Sequence, residues 1–368
     1  MTSNYLLEQR VLGPHLQIDI SEERYKELAH AREVLSEALY FEQRYELLLG
    51  NFLSLEQAFT EIGLRAKTEL LYEYSNMSSN IETANRHVVN LLTAMRGYAD
   101  QVVQDFKCLA MEPIFGSFAK AELSALYDSS SDYQFMWELR NYVQHKANAI
   151  HGFEGGSGTE EDANGWVEAV RLYAMKATLS ADAGFKARVL HKEPEKIDVR
   201  RRARRSVQGL GAVHIALRER SAEHVKRARV CAESAISDYK AAGAESALGL
   251  AACRRESNEG VVPVLLNWDD VRLRLVAKNG SPVQLWPRRT DRHPTPEKIM
   301  KMREDASLTQ ADAASRVFVS PERWRDFEDG LPMPEGLFHL FELQLGRHKT
   351  HRLEPFKADG GASNPSTG

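Results

Sequence analysis

Residues 308–334 carry the sequence LTQADAASRVFVSPERWRDFEDGLPMP, which predicts two short helices joined by a tight turn. The first helix is predicted over residues 309–317, and the turn follows at residues 318–319. Ser320 is placed to cap the second helix, which starts with a proline at its favoured first position and ends at Gly330. The helices can approach closely because positions 313 and 314 are alanines. We therefore expect a small core between them, made by Val317, Val319, Trp324 and Phe327.

Two further predicted helices flank this pair. One covers residues 296–306, with Thr295 as its N-cap and proline at its first position. The other follows Pro334 and ends near Leu345. Together the four helices predict a compact domain over residues 295–350. Residues 281–294 are rich in proline and arginine and are interpreted as a linker, and residues 351–368 are expected to be disordered because they cannot form a core.

Residues 308–334 resemble the phage-repressor-like (Xre, or Cro/repressor) helix-turn-helix family. The Leu-Thr-Gln start, the alanine in mid-helix, the Val-Ser turn, the tryptophan in the next helix and the Glu-Asp-Gly end all fit at fixed spacing. The resemblance implies a DNA-binding domain whose second helix enters the major groove. The positions that it assigns to DNA are Gln310 at a phosphate, Pro321, Glu322 and Asp326 at base edges, and Ser320, Arg323 and Arg325 beside them.

Two features depart from the family's usual pattern. Phe318 stands where the family usually has glycine, at a turn position whose φ is often positive, which is costly for phenylalanine. Glu322 and Asp326 place negative charge on the surface that would face DNA, and residues 288–357 hold 13 Lys/Arg against 12 Asp/Glu. Affinity is therefore expected to depend on dimerisation or on the arginines of the linker.

The first 280 residues show mainly helical periodicity. The clearest apolar stripe runs from Ser78 to Ala110, and Ser79 and Glu82 have the spacing of a capping box at its start. Further helices are predicted from Ser21 to Gly50-Asn51, from Ser54 onward, over 132–145, over 195–240 with interruptions near Gly209 and Gly211, and over 267–278. Residues 152–165 are glycine-rich and acidic and predict a flexible loop, and residues 166–179 slightly favour a strand over a helix. The fold class is therefore mainly α, with a large helical domain over residues 1–280 followed by a small helix-turn-helix domain.

A basic run lies in the second half of this large domain. Residues 188–229 hold 13 Lys/Arg against five Asp/Glu, and the run centres on Arg200, Arg201, Arg202, Arg204 and Arg205. Five arginines in six residues cannot all lie on one face of a helix. Two interpretations stay open. The run is either a phosphate-binding surface for RNA or DNA, or a solvated face whose arginines pair with acidic residues of the same chain.

A second motif is formed by Arg140, Asn141 and His145. It resembles the motif of HEPN-type helical domains, many of which are metal-independent ribonucleases that act as dimers. In that interpretation His145 exchanges the proton of the 2′-OH and Arg140 holds the scissile phosphate. The alternative is a polar cluster that ties this helix to its neighbours.

Composition excludes several classes of protein. The three cysteines show no CxxC spacing, which argues against a disulfide framework and a zinc site and favours a reducing cytoplasm. No signal peptide, membrane span or phosphate-binding glycine loop is visible, so no membrane partner, metal or cofactor is expected.

The sequence thus predicts a DNA-binding regulator-type protein, expected as a homodimer, with DNA as its partner and RNA as a further candidate. The first alternative is a HEPN-type ribonuclease, a toxin or defence effector, whose helix-turn-helix only recruits or self-represses. The second is a non-catalytic helical scaffold.

Overall fold

The structure, a computed structural model, describes residues 3–13, 15–68, 73–104, 109, 114–146, 148–155, 170–182, 184–191, 193–255, 260–283, 294–331, 333–348 and 351–352. These residues form two compact units. The first contains the described residues up to 283, and the second contains those from 294 onward. Most of the predicted linker, the expected loop beyond residue 155 and the tail beyond residue 352 lie outside the described residues.

The first unit consists largely of helices, which confirms the mainly α prediction. Its helices are α1 Glu22–Thr68, α2 Tyr74–Gln104, α3 Ile114–Ser129, α4 Ser131–His145, α5 Lys176–Ser180, α6 Ala187–Leu190, α7 Val199–Ala241 and α8 Asp269–Lys278. The long helix α1 packs mainly against α2 and α7, and apolar side chains from α1, α2, α4 and α7 make the core. Among the described residues, no helix combines the length and apolar character needed to cross a membrane.

Within the described part of the first unit, seven short strands accompany these helices, and the sequence pattern indicated one of them. They are β1 Tyr5–Gln9, β2 Gln17–Ile20, β3 Gly152–Gly155, β4 Val170–Met175, β5 Lys196–Asp198, β6 Leu250–Arg254 and β7 Val262–Pro263. They form two antiparallel sheets, with strand orders β2-β1-β6-β7 and β3-β4-β5. Strand β4 confirms the strand preference for residues 170–175, whereas residues 176–179 belong to α5 and residues 166–169 lie outside the described residues. Strand β3 corrects the start of the predicted loop.

Helix α1 is continuous where the sequence predicted a break at Gly50-Asn51. The backbone around Gly50 and Asn51 keeps its helical hydrogen bonds, and polar side chains form further hydrogen bonds there. The Asn51 side chain donates to the Leu47 carbonyl at 2.9 Å, and Ser54 Oγ donates to the Gly50 carbonyl at 3.0 Å. Leu48 and Leu55, on either side, are fully buried. Burial on both sides of the glycine outweighs its weak helix propensity.

The interruptions predicted near Gly209 and Gly211 are also wrong, because α7 runs through both glycines. These positions are points of close approach rather than breaks. A Cβ at Gly209 would lie 2.5 Å from Leu126 of α3, and one at Gly211 would lie 2.7 Å from the Tyr45 hydroxyl of α1. The Ser79–Glu82 capping box is wrong as well, since α2 already begins at Tyr74.

The second unit is a bundle of four short helices. They are α9 Pro296–Glu304, α10 Gln310–Arg316, α11 Pro321–Glu328 and α12 Glu335–Gln344. Each lies within two residues of the bounds that the caps and prolines predicted. Its buried core is separate from that of the first unit and consists of Ile299, Ala313, Ala314, Val317, Trp324, Phe327, Leu331, Met333, Phe338 and Phe341.

Candidate functional site

Helices α10 and α11 of the second unit are joined by a four-residue turn with well-satisfied ends. Thr309 and Asp312 form a reciprocal capping box at the start of α10. Ser320 Oγ accepts from the Arg323 N–H at 3.2 Å and caps α11. Inside the turn, the Val319 N–H donates to the Ala314 carbonyl at 3.1 Å. These bonds fix the angle at which α11 leaves α10.

Phe318 occupies the left-handed region of this turn, with φ of +60°, as its position opposite the family's glycine predicts. Its side chain is 84% exposed, so burial of the ring does not offset the free-energy cost of the left-handed backbone conformation. The turn is therefore held by the elements on both sides of it rather than by the residue at its apex.

Helix α11 presents two different faces. Trp324 and Phe327 are buried, and the Trp324 ring meets Phe341 of α12 edge-on at 4.6 Å. Pro321, Glu322 and Arg325 are exposed and fall within one arc of the helix. The buried face packs α11 into the core of the second unit. The exposed face is accessible to a partner.

The remaining predicted DNA-binding residues are only partly exposed. Gln310 donates through Nε2 to Glu328 at 2.7 Å and lies 3.5 Å from Arg325 Nε. The Arg323 guanidinium lies 5.3 Å from the Phe327 ring centre. One carboxylate oxygen of Asp326, Oδ1, is buried, although the residue as a whole is partly exposed.

Sequence reasoning missed Glu328, the carboxylate that joins three helices. It accepts from Arg303 of α9 at 2.6 and 3.2 Å, from Gln310 of α10, and from Trp324 Nε1 at 2.7 Å. Burial opposes its charge, but these hydrogen bonds together outweigh burial and hold the pKa of Glu328 below its ordinary value. The only local signal was its position four residues after Trp324.

Three of the five arginines at the centre of the basic run bind carboxylates of their own chain. Arg200 and Arg204 both bind Glu56 of α1, at closest distances of 2.7 Å. Arg202 pairs with Asp132 of α4 and with Glu193. Arg201 and Arg205 also have interaction partners. This geometry favours the second interpretation of the run, in which its arginines form ion pairs with carboxylates of the same chain. Of the five central guanidinium groups, three are paired in this way.

The motif on α4 does not converge on one point. Arg140 donates weakly to the neighbouring Asn141 at 3.4 Å, while His145 is the last residue of the helix and is exposed. Side chains five residues apart leave an α-helix about 140° apart, since each residue turns by about 100°. Asn85, a possible supporting group, instead bonds the backbone of Ile150 in both directions.

The first unit also contains a buried polar network that the sequence did not reveal. His214 is stacked between Phe41 and Tyr45, 4.1 and 4.0 Å between ring centres. Its Nδ1 lies 2.9 Å from the Tyr98 hydroxyl and its Nε2 lies 3.2 Å from Glu42. Burial lowers the pKa of His214, which favours the neutral ring.

A cavity of about 410 Å³ lies beside this network, between α1, α7 and α8. Its walls are mostly apolar, and its arginines are already paired. Arg218 binds Glu42 through two nitrogens, at 2.7 and 2.8 Å. Arg229 and Arg272 share Asp269, which is fully buried. The volume is in the range of small-molecule sites, but the three arginines around it are paired with carboxylates of the same chain.

The chain was also compared with known proteins. No family model, no curated protein and no solved structure matches it.

Proposed function

We propose that the second unit is a helix-turn-helix DNA-binding domain and that the chain is a regulator-type protein. The observation that carries the proposal is the two-faced helix α11. Trp324 and Phe327 anchor it, while Pro321, Glu322 and Arg325 lie exposed along its other side. A short helix held rigidly with an exposed polar face is what major-groove recognition requires.

In this proposal α11 lies in the major groove with its N-terminal residues nearest the base edges. Glu322 is an acceptor for the amino group of cytosine. Arg325 contacts the duplex with its guanidinium oriented by Gln310, whose amide is itself held by Glu328. Gln310 then acts as a positioning residue rather than only as a phosphate contact.

The charge of the region favours two copies on one site. With 13 Lys/Arg and 12 Asp/Glu over residues 288–357, one domain offers little net attraction to phosphate. Two domains related by a two-fold axis double the contact surface and fix the spacing of half-sites. The proposed species is therefore a homodimer bound to DNA, and its proposed location is the cytoplasm.

No observation favours the ribonuclease alternative over this one. Arg140 and His145 leave α4 in different directions, and the basic run, which would hold RNA, is engaged with Glu56, Asp132 and Glu193. The proposal accordingly gives the first unit no catalytic role.

The test is DNA binding by the full chain, titrated with salt. Arg325→Ala should weaken binding to genomic DNA fragments by about 1–3 kcal/mol. The matched control is Arg227→Ala, which removes an arginine of α7 that is 74% exposed and pairs with Glu223 of the same helix. If the wild-type chain binds no DNA at low salt, or if both variants bind as it does, the proposal is wrong.

A further inference from the structure

Three side chains with metal-binding chemistry meet at the end of α12. His339 and Glu342 are three residues apart and so share one face of the helix. His348 lies beyond the helix end. One donor atom from each of the three lies within 4.8 Å of the other two, and His339 Nδ1 is 3.0 Å from Glu342 Oε2.

The way in which α12 ends brings His348 back to this face. Gly346 adopts a left-handed conformation, with φ of +65°. The N–H of Arg347 then donates to the Glu342 carbonyl at 2.8 Å, which reverses the chain direction. The Arg347 guanidinium donates to the Asp305 carbonyl at 2.9 Å and fixes the reversed segment to the end of α9. The His348 ring consequently lies 5.1 Å from the His339 ring.

We infer that His339, Glu342 and His348 form a binding site for a divalent transition-metal ion, with Zn²⁺ as the best match. Two imidazoles and one carboxylate suit Zn²⁺, whereas Mg²⁺ and Ca²⁺ prefer oxygen ligands alone. Tetrahedral donors around Zn²⁺ stand about 3.4 Å apart at bond lengths of about 2.1 Å. The His339–Glu342 pair is already that close, and only His348 has to move inward.

The movement concerns His348, whose Nδ1 accepts from the His351 N–H at 3.1 Å. The His339 side chain is 46% exposed and the Glu342 side chain is 12% exposed, so the carboxylate is the more fixed of the other two ligands. The His351 ring lies 5.1 Å from the His348 ring. Glu335, 3.6 Å from His339 Nε2, adds negative charge nearby.

The spacing of the cysteines could not indicate this site, because the site contains no cysteine. Its sequence signature is the pair of spacings HLFE at 339–342 and HKTH at 348–351. A bound ion would tie the segment after α12 to the helix itself, and it would stabilise the second unit whether or not that unit binds DNA.

The experiment uses the full chain without a histidine tag, stripped of metal and dialysed against Zn²⁺. Metal content is measured by mass spectrometry, and the thermal unfolding of the second unit is followed in parallel. The wild-type chain should bind one Zn²⁺, with a rise in its unfolding temperature. His348→Ala and Glu342→Gln should each weaken binding by at least roughly tenfold, since even outer-shell losses cost that much, and should remove the thermal shift.

The matched control is His191→Ala, which replaces an exposed histidine of the first unit. It should leave both Zn²⁺ content and the thermal shift unchanged. The inference is overturned if His348→Ala and Glu342→Gln retain wild-type affinity, or if the wild-type chain binds no more Zn²⁺ than these variants do.

Discussion

Glu328 receives hydrogen bonds from side chains on three helices, so the second unit depends on its charge. Its side chain is 5% exposed. Glu328→Gln would turn an amide N–H towards Arg303 and remove the closer and more buried of the two carboxylates that the guanidinium pairs with. We expect the second unit to lose about 3 kcal/mol of stability, measured by hydrogen exchange of the α9–α11 amides. Glu304→Gln, which alters the 59% exposed neighbour of the same arginine, should cost far less, and equal losses in both variants would contradict this role.

The pH dependence of the second unit follows from the same carboxylate. Its pKa is lower in the folded state than the ordinary value of 4.5. The folded state therefore binds the proton less readily than the unfolded state. The contribution of Glu328 is fully present above pH 4.5 and is lost as the pH falls through the folded pKa. In the same exchange experiment, Glu328→Gln should show a shallower decline in acid, and an unchanged decline would contradict the assignment.

Individual residues also mark where sequence reasoning could and could not succeed. The caps Thr309 and Ser320 were predictable, because capping is local and depends on a few adjacent residues. The partners of Arg200 and Arg202 were not, since Glu56 and Asp132 lie 144 and 70 positions away. The burial of one Asp326 oxygen was not predictable for a similar reason, because which oxygen is buried depends on how the whole unit packs.

At the level of elements, the turn between α10 and α11 stores strain at Phe318. A residue with a Cβ pays about 1–2 kcal/mol for the left-handed conformation. Phe318→Gly should stabilise the second unit by about 1 kcal/mol after its own unfolded-state entropy is counted, as measured by the same exchange method. Phe318→Ala is the matched control, because it removes the ring and keeps the Cβ. A gain for alanine as large as that for glycine would show that the exposed ring, rather than the backbone, is the source of the strain.

Helices α1 and α7 show why a glycine in a helical pattern does not reliably predict the end of the helix. Gly50 is tolerated because buried leucines on either side hold α1 in place. A Cβ at Gly209 would lie 2.5 Å from the Leu126 side chain of α3, which would have to shift to admit it. A helical pattern is readable from spacing alone, but the reason for a glycine inside it depends on a neighbour that the spacing does not identify.

At the scale of the whole molecule, the mainly α fold was predictable and the sheets were not. Helical periodicity is a local signal. The pairing of β1 with β6 places Tyr5 opposite Arg254. The sequence of neither short strand indicates a partner so distant along the chain. The site on α11 was predicted through a resemblance, whereas the polar network around His214 and the cluster at α12 emerge only in three dimensions.

The second unit should fold without the first. It has its own buried core, and three of its helices, α9, α10 and α11, have side-chain caps. A fragment of residues 294–352 is expected to give a well-dispersed amide NMR spectrum. Phe327→Ala should unfold the same fragment, because the loss of about 3–5 kcal/mol approaches the total stability of a small domain. A collapsed spectrum for the unmutated fragment would contradict the prediction.

The central claim is that α11 reads DNA bases, and selection of binding sequences from a random DNA library by the full chain tests it most directly. The wild-type chain should enrich one sequence pattern, with cytosine at the base pair that Glu322 faces. Glu322→Gln should shift that single position towards adenine, because a glutamine amide bonds adenine as a carboxylate bonds cytosine, and should leave the other positions unchanged. An absence of enrichment, or a pattern that is identical for both proteins, would contradict the account.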